Sequence, residues 1–102
     1  MLVRIHSAYR EVIAVCDCEL IGKRFEQADN GKILQIDLTG EFFKGEEKSE
    51  KEVREILRNR KKEDACFYIV GNKACEIAKQ ENIIDDVAIN TIQGVNVALC
   101  LL

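Results

Sequence analysis

Ala65-Cys66-Phe67-Tyr68-Ile69-Val70-Gly71-Asn72-Lys73 is the stretch on which the fold turns. The run from Ala65 to Val70 is apolar and rich in aromatic and β-branched residues, as a buried strand requires. It meets Gly71-Asn72, and a helical pattern follows from about Lys73 to Gln80, with Ala74, Ile77 and Ala78 as its packing stripe. A strand passing through one glycine into a helix is an α/β unit, and the rest of the chain has to build a sheet around it.

Upstream stands the other long helix, expected over Glu50–Lys62. Ser49 and Glu52 form a capping box, in which each side chain satisfies a backbone N–H that helix geometry leaves free. Val53, Ile56 and Leu57 make a narrow apolar stripe, and Arg58, Arg60, Lys61 and Lys62 crowd the last turn. Further strands are expected at Leu2 to Ser7, Val12 to Asp17, Ile33 to Thr39, Val87 to Ile92 and Val95 to Leu101. In the third of these Leu34, Ile36 and Leu38 alternate with Gln35, Asp37 and Thr39, the pattern of a half-buried strand. The first two read as a hairpin through Ser7-Ala8-Tyr9-Arg10, and Asp29-Asn30-Gly31-Lys32 is turn chemistry. Asp17 is placed to cap a short helix ended by Gly22. With few helices and mostly short connections, the expected fold is a two-layer α/β sandwich of the α+β class: one mixed or antiparallel sheet and two main helices.

A chain of 102 residues makes a single domain, residues 1–102, with roughly two-thirds of its unfolded surface buried. At 47% hydrophobic and 32% charged it is composed like a folded globular protein. No apolar run approaches the ~20 residues of a membrane span, and no targeting segment is visible, so the expected location is cytoplasmic. Five cysteines cannot all pair within one chain, and most lie in apolar runs, which points to reduced core thiols. The net charge of −3 argues against indiscriminate nucleic-acid binding. It is distributed unevenly: residues 1–62 carry thirteen basic and twelve acidic groups, residues 63–102 two and six.

Chemistry-bearing residues are sparse. Cys16-Asp17-Cys18 pairs two thiols at a spacing short of the usual zinc ligand pair, and Cys66, Cys75 and Cys100 stand alone, so no metal and no cofactor are expected. His6 is the single histidine, and no triad, paired-histidine motif or P-loop is present, so no catalytic residue is assigned. Gly71, Asn72 and Lys73 open a helix and form an anion-binding candidate through free backbone N–H groups. Phe42, Phe43 and Lys44 lie in a charged loop, where aromatic rings either stack on a partner or fold back over the sheet. Arg58, Arg60, Lys61 and Lys62 could contact phosphates, although cations at a helix C-terminus also complement its dipole unaided.

One set of residues spans nearly the whole chain: Cys16-Asp17-x-Glu19-Leu20-Ile21-Gly22-Lys23-x-Phe25, Leu34-x-Ile36, Phe42-Phe43-Lys44-Gly45-Glu46, Ile69-Val70-Gly71 and Gly94-Val95. It resembles the archaeal family of uncharacterised proteins known as domain of unknown function 424. That resemblance implies a compact two-layer α/β fold, a cytoplasmic location and an RNA or ribonucleoprotein partner in translation. It supplies no catalytic residue. Relatives continue past the final Gly-Val with a more polar stretch containing histidine, whereas Asn96-Val97-Ala98-Leu99-Cys100 follows here. The leading expectation is a non-enzymatic macromolecule-binding module using Phe42, Phe43, Lys44 and the basic helix end. Its rivals are a small enzyme or anion- or metabolite-binding domain centred on Cys16, Asp17 and Gly71, and a homodimer completed through the C-terminal strand.

Overall fold

The computed structural model describes residues 1–7 and 9–100. In chain order the elements are β1 (Leu2–His6), β2 (Val12–Cys16), β3 (Arg24–Asp29), β4 (Lys32–Asp37), β5 (Glu46–Glu47), α1 (Glu50–Lys61), β6 (Cys66–Val70), α2 (Asn72–Gln80), β7 (Ile89–Ile92) and β8 (Val95–Cys100). Short 3₁₀ turns cover Cys18–Leu20 and Asp86–Ala88. Six strands form a mixed sheet in the order β5-β1-β2-β6-β8-β7, with β2 and β6 parallel and every other neighbour antiparallel. β3 and β4 form a separate two-stranded antiparallel ribbon.

Strand alternation sorts the core into two halves. Ile13 and Val15 of β2 and Phe67 and Ile69 of β6 face one side, where they meet Val53 and Leu57 of α1 and Ala74, Cys75, Ile77 and Ala78 of α2. Ala14, Cys16, Val70 and Val97 face the other side, where Ile36 and Leu38 and the buried ring of Phe43 cover them. Both helices therefore lie on one face, as expected of an α+β sandwich, and the β3–β4 ribbon lies across the opposite face.

Each main helix forms for the reasons its sequence carries. At Ser49 the capping box is complete, with reciprocal bonds to Glu52 of 3.2 Å. The buried positions of α1 are Val53 and Leu57, four apart on one stripe, with Ile56 packed beside them. β3 was not expected, because Arg24-Phe25-Glu26-Gln27-Ala28-Asp29 is almost wholly polar; only its ladder with β4 makes it a strand. Asn30 and Gly31 close that ribbon at φ 49° and 79°, the left-handed values a two-residue hairpin needs. Residues 86–88 form a 3₁₀ turn, so β7 starts at Ile89 instead of Val87. β8 lies between β6 and β7, so its ladder edges are occupied within the chain and Val97 and Ala98 are buried. The expected end of that strand at Leu101 lies outside the described residues, as does Ala8 of the first connection. No helix is long and apolar enough to cross a membrane among the described residues.

Candidate functional site

Three regions carry the residues singled out in the sequence, and the first is the junction at Gly71. Gly71 has φ 117° and ψ 151°, a region open essentially to glycine alone. A Cβ there would collide with the side chain of Asp17. Asp17 leaves the end of β2 and turns its carboxylate onto the first turn of α2. Oδ2 accepts the Lys73 N–H at 3.1 Å and Oδ1 the Ala74 N–H at 3.0 Å. The residue is 3% exposed, and burial raises its pKa above the ordinary carboxylate value against the pull of those two N–H groups. Asp17 does not cap the short turn that follows it, contrary to expectation; it caps a helix more than fifty residues away. Two of the N–H groups that an external anion would use are thus engaged by the protein's own carboxylate. Asn72 is also tied inward, donating from Nδ2 to the Gly94 carbonyl at 3.2 Å and accepting the Asn96 N–H at 2.9 Å.

Three of the described thiols, Cys16, Cys66 and Cys75, are core groups. Burial pushes Cys16 and Cys75 up to about 12, so both are protonated at neutral pH and neither is a nucleophile there. Cys66 is buried as well, and Cys18 is half-buried with its thiol 3.9 Å from a Glu47 carboxylate oxygen. Among the described residues no three His, Cys, Asp or Glu side chains converge as metal ligands.

The second region is the loop after β4, where the two adjacent phenylalanines part ways. Phe43 is 3% exposed and belongs to the core under the ribbon, whereas Phe42 is 41% exposed. The Phe42 ring stacks on His6 with centroids 4.2 Å apart and planes 16° apart. It also meets Phe43 and Tyr68 edge-on, at 5.1 and 5.8 Å. The imidazole Nε2 lies 2.8 Å from the Phe42 carbonyl; that oxygen can only accept, so Nε2 carries the proton and holds loop and ring together. Arg4 donates to the Glu41 carbonyl at 2.6 Å, and Lys44 pairs with Glu41 at 3.2 Å. Gly45 passes so close to β1 that a Cβ would strike the Val3 carbonyl. Between this anchored loop and β4 runs an open groove of about 400 Å³, with Gln35, Ile36 and Asp37 on one wall and Phe42, Phe43 and Tyr68 on the other. Asp37 is fixed there. Its Oδ1 accepts both the N–H and the hydroxyl of Thr39, which hold the carboxyl below its usual range and therefore ionised.

The third region, the basic end of α1, is largely self-paired. Arg58 pairs with Glu81, Arg60 with Glu11 at 2.9 Å and Glu63 at 3.2 Å, and Lys61 donates to the Asn82 carbonyl at 2.9 Å. Lys62 is exposed. The cluster belongs to the helix layer and Phe42 to the ribbon layer, so the structure sets these candidates on opposite faces of the sheet. Sequence reasoning passed over His6, Tyr68, Gln35 and Asp37 as partners of the loop. Tyr68 carried a signal, since a phenol in the middle of an apolar strand asks for one wet end.

Comparison with known proteins agrees with this architecture. A crystal structure of an uncharacterized conserved protein from Methanopyrus kandleri superposes with a TM-score of 0.76 at 21% identity, covering 96% of this chain and 87% of that one. At that identity the likeness is one of fold. No curated protein matches the sequence. The family model for DUF424, a protein of unknown function, matches residues 5–101, and the chain accordingly belongs to that family.

Proposed function

We propose that this protein is a non-enzymatic docking module that engages an RNA or ribonucleoprotein partner through the groove beside Phe42. The observation that carries the reading is the state of that ring: 41% exposed, yet held by His6, Phe43 and Tyr68. A large apolar group presented in a fixed orientation loses little side-chain entropy on binding, which is how aromatic anchors concentrate interface energy. Pairing of Arg58 and Arg60 with acidic neighbours leaves the basic helix end a minor contributor, and shifts weight from RNA phosphates towards the protein component of such a particle.

The test is recovery of partners on immobilised protein from native lysate, with and without nuclease, for the wild type and Phe42→Ala. The reading expects a defined partner whose recovery falls at least about tenfold on removal of the ring, as for an interface hot spot. Equal recovery by the two proteins would refute it.

A further inference from the structure

The β3–β4 ribbon is unfinished on one side. At Leu38 the N–H donates to the Lys23 carbonyl at 2.8 Å and the C=O accepts the Gly22 N–H at 2.7 Å, so both bonding groups of Leu38 turn towards the strand side of β3, in register with the ribbon. Bonded and non-bonded pairs alternate in an antiparallel ladder, so Glu26–Gln35 and Arg24–Asp37 are non-bonded pairs. The backbone N–H and C=O groups of Gln35 and Asp37 therefore turn away from β3, and among the described residues β4 has no strand on that side. The same two residues wall the groove whose other wall is Phe42, Phe43 and Tyr68. An open strand edge and an apolar trough thus run side by side.

Charge decides what fits. Among the described residues no basic side chain lines the groove. Asp37 keeps Oδ2 free of any partner among the described residues while Thr39 holds Oδ1. Arg24, across the ladder from Asp37, directs its guanidinium to Glu26 at 2.8 Å. Asp37 alternates with the buried Ile36 and so stands on the exposed face of β4, where its ionised carboxylate is complementary to a cationic side chain set opposite it by an added strand. A phosphate backbone would meet repulsion from the same carboxylate.

Resting on the docking reading above, we infer that the occupant of the groove is an extended, arginine-bearing peptide segment of a protein partner, added to the free edge of β4 as a third strand. Main-chain bonds to Gln35 and Asp37 supply the register, and alternate side chains of the incoming strand drop into the trough beside Phe42 and Tyr68. An arginine opposite Asp37 completes the match.

The probe is a fluorescent peptide about nine residues long, alternating valine and arginine, a length that covers one added strand. It is compared with a glutamate-for-arginine peptide, with the arginine peptide N-methylated at alternate amides, and with a single-stranded oligouridylate. Anisotropy gives affinity, and amide chemical shifts locate the site. The arginine peptide should bind and shift the Gln35 and Asp37 amides, and Asp37→Asn should weaken it about three- to tenfold, the effect of one accessible charge-assisted pair. N-methylation should weaken binding further, because it removes the donors of the new ladder. Binding indifferent to Asp37→Asn and to N-methylation, or equal binding of the glutamate peptide, would overturn the inference. Oligouridylate shifting the groove amides would overturn the peptide as occupant yet leave the docking reading standing. Loss of both requires, in addition, lysate recovery that is unchanged by Phe42→Ala.

Discussion

At the scale of single residues, Asp17 and Gly71 act as one device. The carboxylate replaces solvent for two N–H groups at the start of α2, and glycine leaves the room for it. Asp17→Ala should cost about 1–3 kcal/mol through those two unpaired donors, measured by denaturant unfolding. Gly71→Ala should cost at least about 2 kcal/mol, from a backbone conformation closed to alanine together with the collision at Asp17. Because both act on the same contact, the double variant should lose less than the sum of the single losses. The pH dependence is distinctive. A carboxyl whose folded pKa is raised favours folding below its unfolded value and loses that contribution as pH rises through the folded value. The stability of the wild type relative to Asp17→Asn should therefore be greatest below pH 3.8 and decline as the pH rises. None of this was legible in Cys16-Asp17-Cys18, where local chemistry suggested a cap for the very next turn. The true partner is far along the chain, and only the parallel pairing of β2 with β6 brings it near. Likewise, adjacent Phe42 and Phe43 are identical as letters, and the direction of one loop buries one and exposes the other.

Among the elements, those legible in advance carried their own periodicity: α1 through Val53 and Leu57, β4 through Leu34, Ile36 and Leu38, and β6 through an unbroken apolar run. β3 and β5 carry none, since one lies on a solvated ribbon and the other is two glutamates held at the edge of β1. Gly45 leads into β5 and touches the Val3 carbonyl, so Gly45→Ala should detach β5. Amide exchange at Leu2 to Arg4 should then accelerate while the central strands keep their protection. Ser49→Ala removes the side-chain half of a complete capping box and should cost about 1 kcal/mol of stability, again read by denaturant unfolding.

Taken whole, the molecule ties its two helices together by ion pairs as well as by its core. Glu81, just past α2, bridges Arg54 and Arg58 of α1 with only 9% of its side chain exposed. Hydrogen bonding to Arg58 holds its pKa below the ordinary value, so its contribution is present above 4.5 and is lost as pH falls through the folded value. Glu81→Gln should accordingly melt at a lower temperature than the wild type near neutral pH, and the two melting curves should converge in acid. This pairing also explains why a basic helix end conspicuous in the sequence gives little free positive charge: its acidic partners lie in other elements, and net charge by segment does not reveal them. β8 joins β6 to β7, so deleting residues 95–102 should leave an aggregating or molten chain, seen as lost cooperativity in thermal melts. The central claim is that the molecule presents one ring of its aromatic cluster and keeps its neighbour for folding. It is tested most directly by measuring thermal stability and partner retention side by side for Phe42→Ala and Phe43→Ala. Phe42→Ala should lose the partner while costing no more than about 1 kcal/mol, and Phe43→Ala should cost about 3–5 kcal/mol, the value for a truncated core aromatic. Full partner retention by a folded Phe42→Ala protein would contradict the account.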